Sequence, residues 1–166
     1  MPLPTLVTFL VFCQALGAGV GAFTAVWSEL SYVKAMRDGK IDVAERAHLL
    51  IIGHGLRYGM TLLLISSFGL IVVAYLKNAT PQPALSASYW TLIALALVVI
   101  TVSSALARKR LPFKIASATL FTAWWFLVYL SFGWFSLSFG AAVMSFIVTA
   151  VIFYAVLYYA RLLALP

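Results

Sequence analysis

Five long apolar runs constrain this sequence more than any other feature. They cover residues 3–27, 49–76, 89–107, 113–130 and 139–159. The five runs contain three residues of the Lys, Arg and His type, namely His54, Arg57 and Lys114. About 20 apolar residues of helix cross a hydrocarbon core of roughly 30 Å. The runs lack the alternation of apolar and polar residues that marks a barrel strand, so they predict five transmembrane helices.

The overall composition excludes the other fold classes. Hydrophobic residues make up 64% of the chain and charged residues 9%, whereas a soluble domain carries about a quarter charged residues. A disordered chain needs low hydrophobicity, so that class is excluded as well. The single cysteine, Cys13, excludes a disulfide within one chain. The predicted fold is an all-α polytopic membrane protein, with residues 1–166 as one transmembrane domain.

The distribution of Lys and Arg predicts the orientation of the spans. Four bases lie in residues 28–48, four lie in residues 108–114 and Arg161 follows the fifth span, while the opposite loops offer only Lys77. Basic loops stay in the cytoplasm, so we expect the N-terminus outside and the C-terminus inside. The first span has no basic residue before it and is therefore read as a retained span rather than a signal peptide. The pattern favours the cytoplasmic (inner) membrane of a prokaryote.

The segment 28–48 predicts a charged cytoplasmic hairpin. It contains all four acids of the chain, beginning with Glu29, and four bases that balance them. Residues 29–37 are expected to extend the first helix. Asp42 and Glu45 have the spacing of a capping box, which predicts the start of the second helix.

The net charge of +7 points to lipid rather than to nucleic acid. Seven bases, Arg161 among them, are expected to be unmatched by an acidic partner, and most lie where anionic headgroups would be. We expect a lipid headgroup contact at Arg108, Lys109, Arg110 and Lys114. No nucleic-acid partner is predicted.

The second span carries the candidate binding residues. His54, Arg57, Tyr58 and Thr61 recur at the spacing of one helical face, and such polar groups at membrane depth are retained against a desolvation cost. They predict a ligand or cofactor site. Two depths remain open, because Arg57 could extend to the headgroup boundary or lie buried in the bundle.

Small residues on the first two spans predict close helix packing. Gly17 and Gly21 are four residues apart on span one, and Gly55 and Gly59 are four apart on span two. Small residues at this spacing let two helix backbones approach closely.

Residues 1–76 resemble the membrane protoporphyrinogen oxidase and copper-resistance-D-like superfamily of small polytopic membrane proteins. The resemblance rests on the glycine-rich first span, the charged hairpin, and the stretch from Gly55 through Arg57, Tyr58 and Thr61 to Gly69 and Leu70. It implies haem binding that depends partly on a histidine in the first span. This chain has Gln14 at the nearest position, so that ligand is missing.

Three function classes follow, of which transport is favoured. The first is a small oligomeric protein of transport or channel type with span two lining the path, and a chain of this size predicts a homo-oligomer. The second is a haem-associated redox protein or enzyme, with haem b held by His54 and Arg57. The third is a non-catalytic accessory subunit. No acid lies within a predicted span, which disfavours an enzyme, and two histidines cannot form a three-histidine zinc site, so no metal site is predicted.

Overall fold

Five helices make up the described part of the chain, in a computed structural model. The structure describes residues 3–37, 43–78, 85–108, 110–133 and 138–164, and in residues 35–37 and 43–52 it describes the backbone only. The helices are α1 (Leu3–Arg37), α2 (Val43–Leu76), α3 (Ala87–Ala107), α4 (Phe113–Ser131) and α5 (Phe139–Ala164). All five are long and apolar enough to cross a membrane. The prediction of an all-helical chain with five such helices is confirmed.

The first two helices are longer than a membrane requires. α1 has 35 residues and α2 has 34, and each is about 50 Å long at 1.5 Å per residue. α1 continues ten residues past the predicted span end at Trp27, and α2 begins six residues before Leu49. The predicted turn at 38–42 and the capping residue Asp42 lie outside the described residues, and the side chain of Glu45 does also.

Short connections make the helices neighbours in space. Ser86 caps α3, because its Oγ accepts a hydrogen bond from the backbone N–H of Tyr89 at 3.2 Å. α4 ends at Ser131, and Gly133, two residues further on, has a φ of +67°, the left-handed conformation that glycine adopts without strain. Five residues separate α3 from α4, so these two helices run antiparallel.

The helix α4 lies at the centre of the bundle. It packs against α1, α3 and α5, while α2 packs mainly against α1. The side chain of Trp124 is fully buried and lies against the backbone of α1 at Gly21. The core around it consists mostly of small and aliphatic residues of α1, α3 and α4, such as Ala18, Ala96 and Leu127. α5 is peripheral, because little of its apolar surface is buried in the bundle.

Candidate functional site

A large cavity opens between the first four helices. Its volume is about 790 Å³, within the usual range for a site that binds a small organic molecule. Most of the wall is apolar, and hydroxyl and charged groups interrupt it. The residues that the argument below uses are Ser28 and Glu29 of α1, Arg57 and Thr61 of α2, Ser103 of α3, and Phe113 and Ser117 of α4.

The cavity exists because α2 and α3 do not pack closely together. α2 packs on α1, and α3 packs on α4 and α5. Because α1 packs on α4, these two helices connect α2 to α3. Met60 and Leu64 of α2 face Val99 and Ile100 of α3 across the open space. We call this feature the α2–α3 cleft.

The predicted polar face of α2 is divided by the cleft. Arg57 and Thr61 line it, and the Thr61 hydroxyl donates a hydrogen bond to the Arg57 carbonyl oxygen at 2.9 Å. His54 and Tyr58 are not among the lining residues, and the Tyr58 side chain is 72% exposed. The face of α2 that lines the cleft consists of residues 53, 56, 57, 60, 61 and 64. It shares Arg57 and Thr61 with the predicted face and is rotated about the helix axis away from His54 and Tyr58.

Arg57 is a cationic residue that lines the α2–α3 cleft. The side chain is exposed toward the cleft, and no hydrogen-bond or ion-pair partner for it is found among the residues described. A guanidinium has five N–H donors in a planar fork that matches a carboxylate or a phosphate. Arg57 is therefore the group in the cleft most suited to hold an anion.

The register between α1 and α2 gives the depth of Arg57. A Cβ on Gly59 would touch Gly17 and Gly21, and a Cβ on Gly55 would touch Thr24. Interpolation places Arg57 beside residue 22 of α1, seven residues from Glu29. The two Cα atoms therefore differ in level by about 10 Å at 1.5 Å per residue. Glu29 lies level with the start of α4, whereas Arg57 lies deeper in the bundle.

A buried ion pair lies in the wall of the cleft, where Glu29 is one of the lining residues. The Arg161 Nη2 donates to the Glu29 Oε2 at 2.7 Å and to the Ser117 Oγ at 2.6 Å. Both charged side chains are about nine-tenths buried. The sequence pattern predicted Glu29 in a cytoplasmic hairpin and Arg161 among the bases without an acidic partner. The second of these predictions is wrong, because the fold brings the end of α5 against α1.

Two aromatic rings complete the surroundings of Arg161. Its guanidinium carbon lies 5.4 Å from the Tyr32 ring centre and 5.5 Å from that of Phe113, and these rings stack on each other at 3.9 Å. Such contacts stabilise a desolvated cation by about 2 kcal/mol. The Arg161 Nε is buried without a hydrogen-bond partner in the described part of the molecule. These contacts fix the guanidinium on one side of Glu29.

The four glycines predicted to mediate packing all lie where α1 meets its neighbours. A Cβ on Gly17 would lie 2.8 Å from the Gly59 carbonyl oxygen, and a Cβ on Gly59 would lie 2.8 Å from the Gly17 carbonyl oxygen. A Cβ on Gly55 would approach the Thr24 side chain to 3.2 Å. Gly21 differs, because the atom nearest to its added Cβ belongs to the Trp124 ring of α4. Gly21 therefore contacts both neighbouring helices.

The predicted headgroup contact lies at the connection between α3 and α4. Arg108, Arg110 and Lys114 are exposed, and Lys109 lies outside the described residues. The Lys114 ammonium lies 5.4 Å from the Tyr158 ring centre of α5.

The described residues that line the cleft include no axial ligand of the kind predicted for a haem. None of the described residues that line the cleft is a histidine, and His54 is exposed. In the same part of the chain, no group of three histidine, cysteine or acidic side chains is close enough to hold a metal ion. Gln14 and Cys13 are half-buried on α1, and neither lines the cleft.

No protein-family model, no curated protein and no solved structure matches this chain. The likeness of residues 1–76 to the protoporphyrinogen oxidase and copper-resistance-D-like superfamily therefore stays a prediction.

Proposed function

We propose that this chain is a small transport-type membrane protein that binds an amphiphile in the α2–α3 cleft through an anionic group of its headgroup. The observation that carries the proposal is the position of Arg57, a cation without a described partner, on an otherwise largely apolar cavity of about 790 Å³. α2 would then line the path, as the sequence predicts. The anion is held at Arg57, and its hydrocarbon part lies along Met60, Leu64 and the facing side chains of α3.

The depth of Arg57 supports a role in ligand binding. A charged side chain inside a membrane is costly, and such residues usually face a cavity or a partner. Arg57 faces a cavity and lies about 10 Å deeper than Glu29 at 1.5 Å per residue. An anionic group in the cleft would neutralise its charge, and the hydrogen bonds would be charge-assisted.

The separation of α2 from α3 supports entry from the bilayer. These two helices bound the cleft without packing closely on each other. An amphiphile that already lies in the membrane could therefore enter between them without first crossing water.

A complete path needs more than the described cleft. On α2 the lining ends at Leu64, twelve residues before the helix ends at Leu76. Transport therefore requires α2 and α3 to move apart or a second copy of the chain to contribute a wall. A homo-oligomer in the cytoplasmic membrane of a prokaryote, with the N-terminus outside, is part of the proposal. Anionic lipid headgroups at Arg108, Lys109, Arg110 and Lys114 are part of it as well.

The test is the affinity of the purified protein for dilauroyl phosphatidic acid in an uncharged detergent, measured by native mass spectrometry. We expect Arg57→Gln to weaken binding at least about tenfold, because a hydrogen bond to a charged group contributes about 1.5–3 kcal/mol. Lys77→Gln is the control, since it removes one positive charge at an exposed position that lies outside both the cleft and the proposed headgroup contact. Equal affinities of wild type and Arg57→Gln, or equal losses in both variants, would contradict the proposal.

A further inference from the structure

We infer that the ligand of the α2–α3 cleft is a zwitterionic phospholipid with a primary ammonium group, of the phosphoethanolamine type. Its phosphate contacts Arg57, and its ammonium donates to the Oε1 atom of Glu29. This inference rests on the proposed function and adds the identity of the headgroup. It depends on Glu29, an acid that lines the same cavity.

The two oxygens of Glu29 have different surroundings. Oε2 accepts the hydrogen bond from Arg161 at 2.7 Å. Oε1 has no hydrogen bond to another described side chain. Glu29 lines the cleft, and we assign Oε1 as the oxygen that faces it. An acceptor with an unused lone pair is available to the ligand.

Arg161 and Ser117 keep Glu29 from pairing with Arg57. The carboxylate is held toward α5 by the Arg161 Nη2 at 2.7 Å, and the same Nη2 is held in place by its 2.6 Å hydrogen bond to the Ser117 Oγ of α4. Arg57 and Glu29 line one cavity, yet no ion pair within 4.0 Å forms between these two described side chains. Helical side chains tilt toward the N-terminus of their own helix. In the antiparallel pair α1 and α2, that tilt turns Arg57 and Glu29 toward each other across the remaining gap.

A donor and an acceptor at opposite ends of one gap suit a dipolar headgroup. A phosphate alone satisfies Arg57 and leaves Oε1 facing apolar ligand atoms, and a polar atom buried without a hydrogen bond costs about 1–3 kcal/mol. A phosphate joined to an ammonium by two carbons satisfies both ends. The pair Glu29–Arg161 is neutral, so the bound zwitterion leaves one positive charge in the cleft, that of Arg57, in contact with the phosphate.

The ammonium must be able to donate a hydrogen bond. A primary ammonium has three N–H donors, whereas the trimethylammonium of phosphocholine has none. Oε1 therefore selects ethanolamine over choline. The serine hydroxyls of Ser28 and Ser103 also line the cleft and can accept further N–H groups.

The first test compares ligands on the unchanged protein. Phosphatidylethanolamine, its monomethyl and dimethyl derivatives, phosphatidylcholine and phosphatidic acid, all with dilauroyl chains, are titrated in uncharged detergent by native mass spectrometry. We expect the dimethyl derivative, which keeps one N–H, to bind within about threefold of phosphatidylethanolamine. Phosphatidylcholine and phosphatidic acid should each bind at least about tenfold more weakly, the equivalent of one lost hydrogen bond to a charged group. Equal binding of phosphatidylcholine, or a steady decline with each methyl group, overturns the inference.

The second test removes the charge of the acceptor. Glu29→Gln should abolish the preference for phosphatidylethanolamine over phosphatidylcholine. Phosphatidic acid should still bind, at least as tightly as to the wild type, because the Arg161 cation is then uncompensated. That retained binding shows that the variant is folded. A preference that persists in a folded Glu29→Gln protein overturns the inference. If Glu29→Gln does not fold, the methyl series on the wild type decides. Arg57→Gln separates the two proposals, because it should weaken every phospholipid, and its failure to do so would count against the proposed function itself.

Discussion

The guanidinium of Arg161 lies 2.7 Å from the carboxylate of Glu29, although 132 residues separate them in sequence. Arg161 is near the end of α5, and Glu29 is on α1, whose contact with α5 is otherwise slight. The pair therefore fastens the peripheral helix to the rest of the bundle. It also fixes one oxygen of the acid that lines the cleft.

Removal of one member of this pair should be strongly destabilising. Arg161→Met leaves the Glu29 carboxylate buried without its cation, which costs about 3–5 kcal/mol. The double variant Glu29→Met with Arg161→Met should recover most of that loss, because apolar replacements need no partner. The midpoint temperature of unfolding in detergent measures both effects. Arg110→Met is the control, since exposed positions usually change stability by less than about 0.5 kcal/mol.

An Arg161→Met protein as stable as the wild type would show that the ion pair contributes nothing. A double variant no more stable than the single one would show that Arg161 acts mainly through Tyr32 and Phe113, whose rings lie 5.4 Å and 5.5 Å from its guanidinium.

Glycines at the contact of α1 with α2 can be compared with a glycine of α1 that faces open space. Gly17→Ala and Gly59→Ala each place a Cβ 2.8 Å from a backbone oxygen of the facing helix, so the backbones must separate. We expect a loss of about 1–3 kcal/mol from this overpacking. Gly19→Ala is the matched control, because a Cβ there meets no atom within 4 Å and alanine favours a helix by up to about 1 kcal/mol.

The measurement is again thermal unfolding in detergent. Gly17→Ala and Gly59→Ala should unfold at lower temperature than the wild type, and Gly19→Ala should unfold at the same or a higher temperature. Equal changes of the unfolding temperature in Gly17→Ala and Gly19→Ala would mean that α1 and α2 do not approach each other as closely as described.

The number and extent of the helices follow from the sequence because they depend on local properties. An apolar run of sufficient length is a helix in the membrane whatever its neighbours are. The helices α3 and α4 accordingly begin and end within two residues of the predicted spans. The continuation of α1 past Trp27 was also predictable, since residues 28–37 contain neither glycine nor proline.

The binding site could be predicted only in part, because it depends on the rotation of each helix. Arg57 and Thr61 line the cleft, but His54 and Tyr58 of the same predicted face do not. Helical spacing shows which residues share a face and leaves open which face meets the cavity. Glu29 was missed because it follows a long apolar run and adjoins a charged segment, where an acid usually contacts water.

One signal in the sequence could have indicated the ion pair. Glu29 stands alone between Trp27 and Tyr32 among uncharged residues, and Arg161 stands alone between Tyr159 and Leu162. The predicted topology places both at the same side of the membrane. Opposite charges that are each isolated in apolar surroundings, at the same level, are candidates for a pair.

The orientation of the helices is open to a direct test. Leu85→Cys and Arg110→Cys, each in a Cys13→Ser background, place a single exposed thiol at opposite ends of α3. Because basic loops stay in the cytoplasm, an impermeant thiol reagent added to intact cells should label Leu85→Cys and spare Arg110→Cys. Both should react after the cells are permeabilised. Labelling of Arg110→Cys alone in intact cells would reverse the proposed orientation.

Filling the cleft from the side of α3 should block binding without affecting the fold. Ser103 lines the cleft, whereas Thr101, two residues away, is exposed and directed elsewhere, with its hydroxyl bonded to the Leu97 carbonyl oxygen at 2.7 Å. Ser103→Phe places a ring in space that the ligand needs, and Thr101→Phe adds the same ring outside the cleft. We expect Ser103→Phe to weaken the binding of dilauroyl phosphatidic acid at least about tenfold, which corresponds to about 1.4 kcal/mol. Thr101→Phe should bind as the wild type does, and both should unfold near the wild-type temperature. Wild-type binding by a folded Ser103→Phe protein would place the ligand outside the α2–α3 cleft.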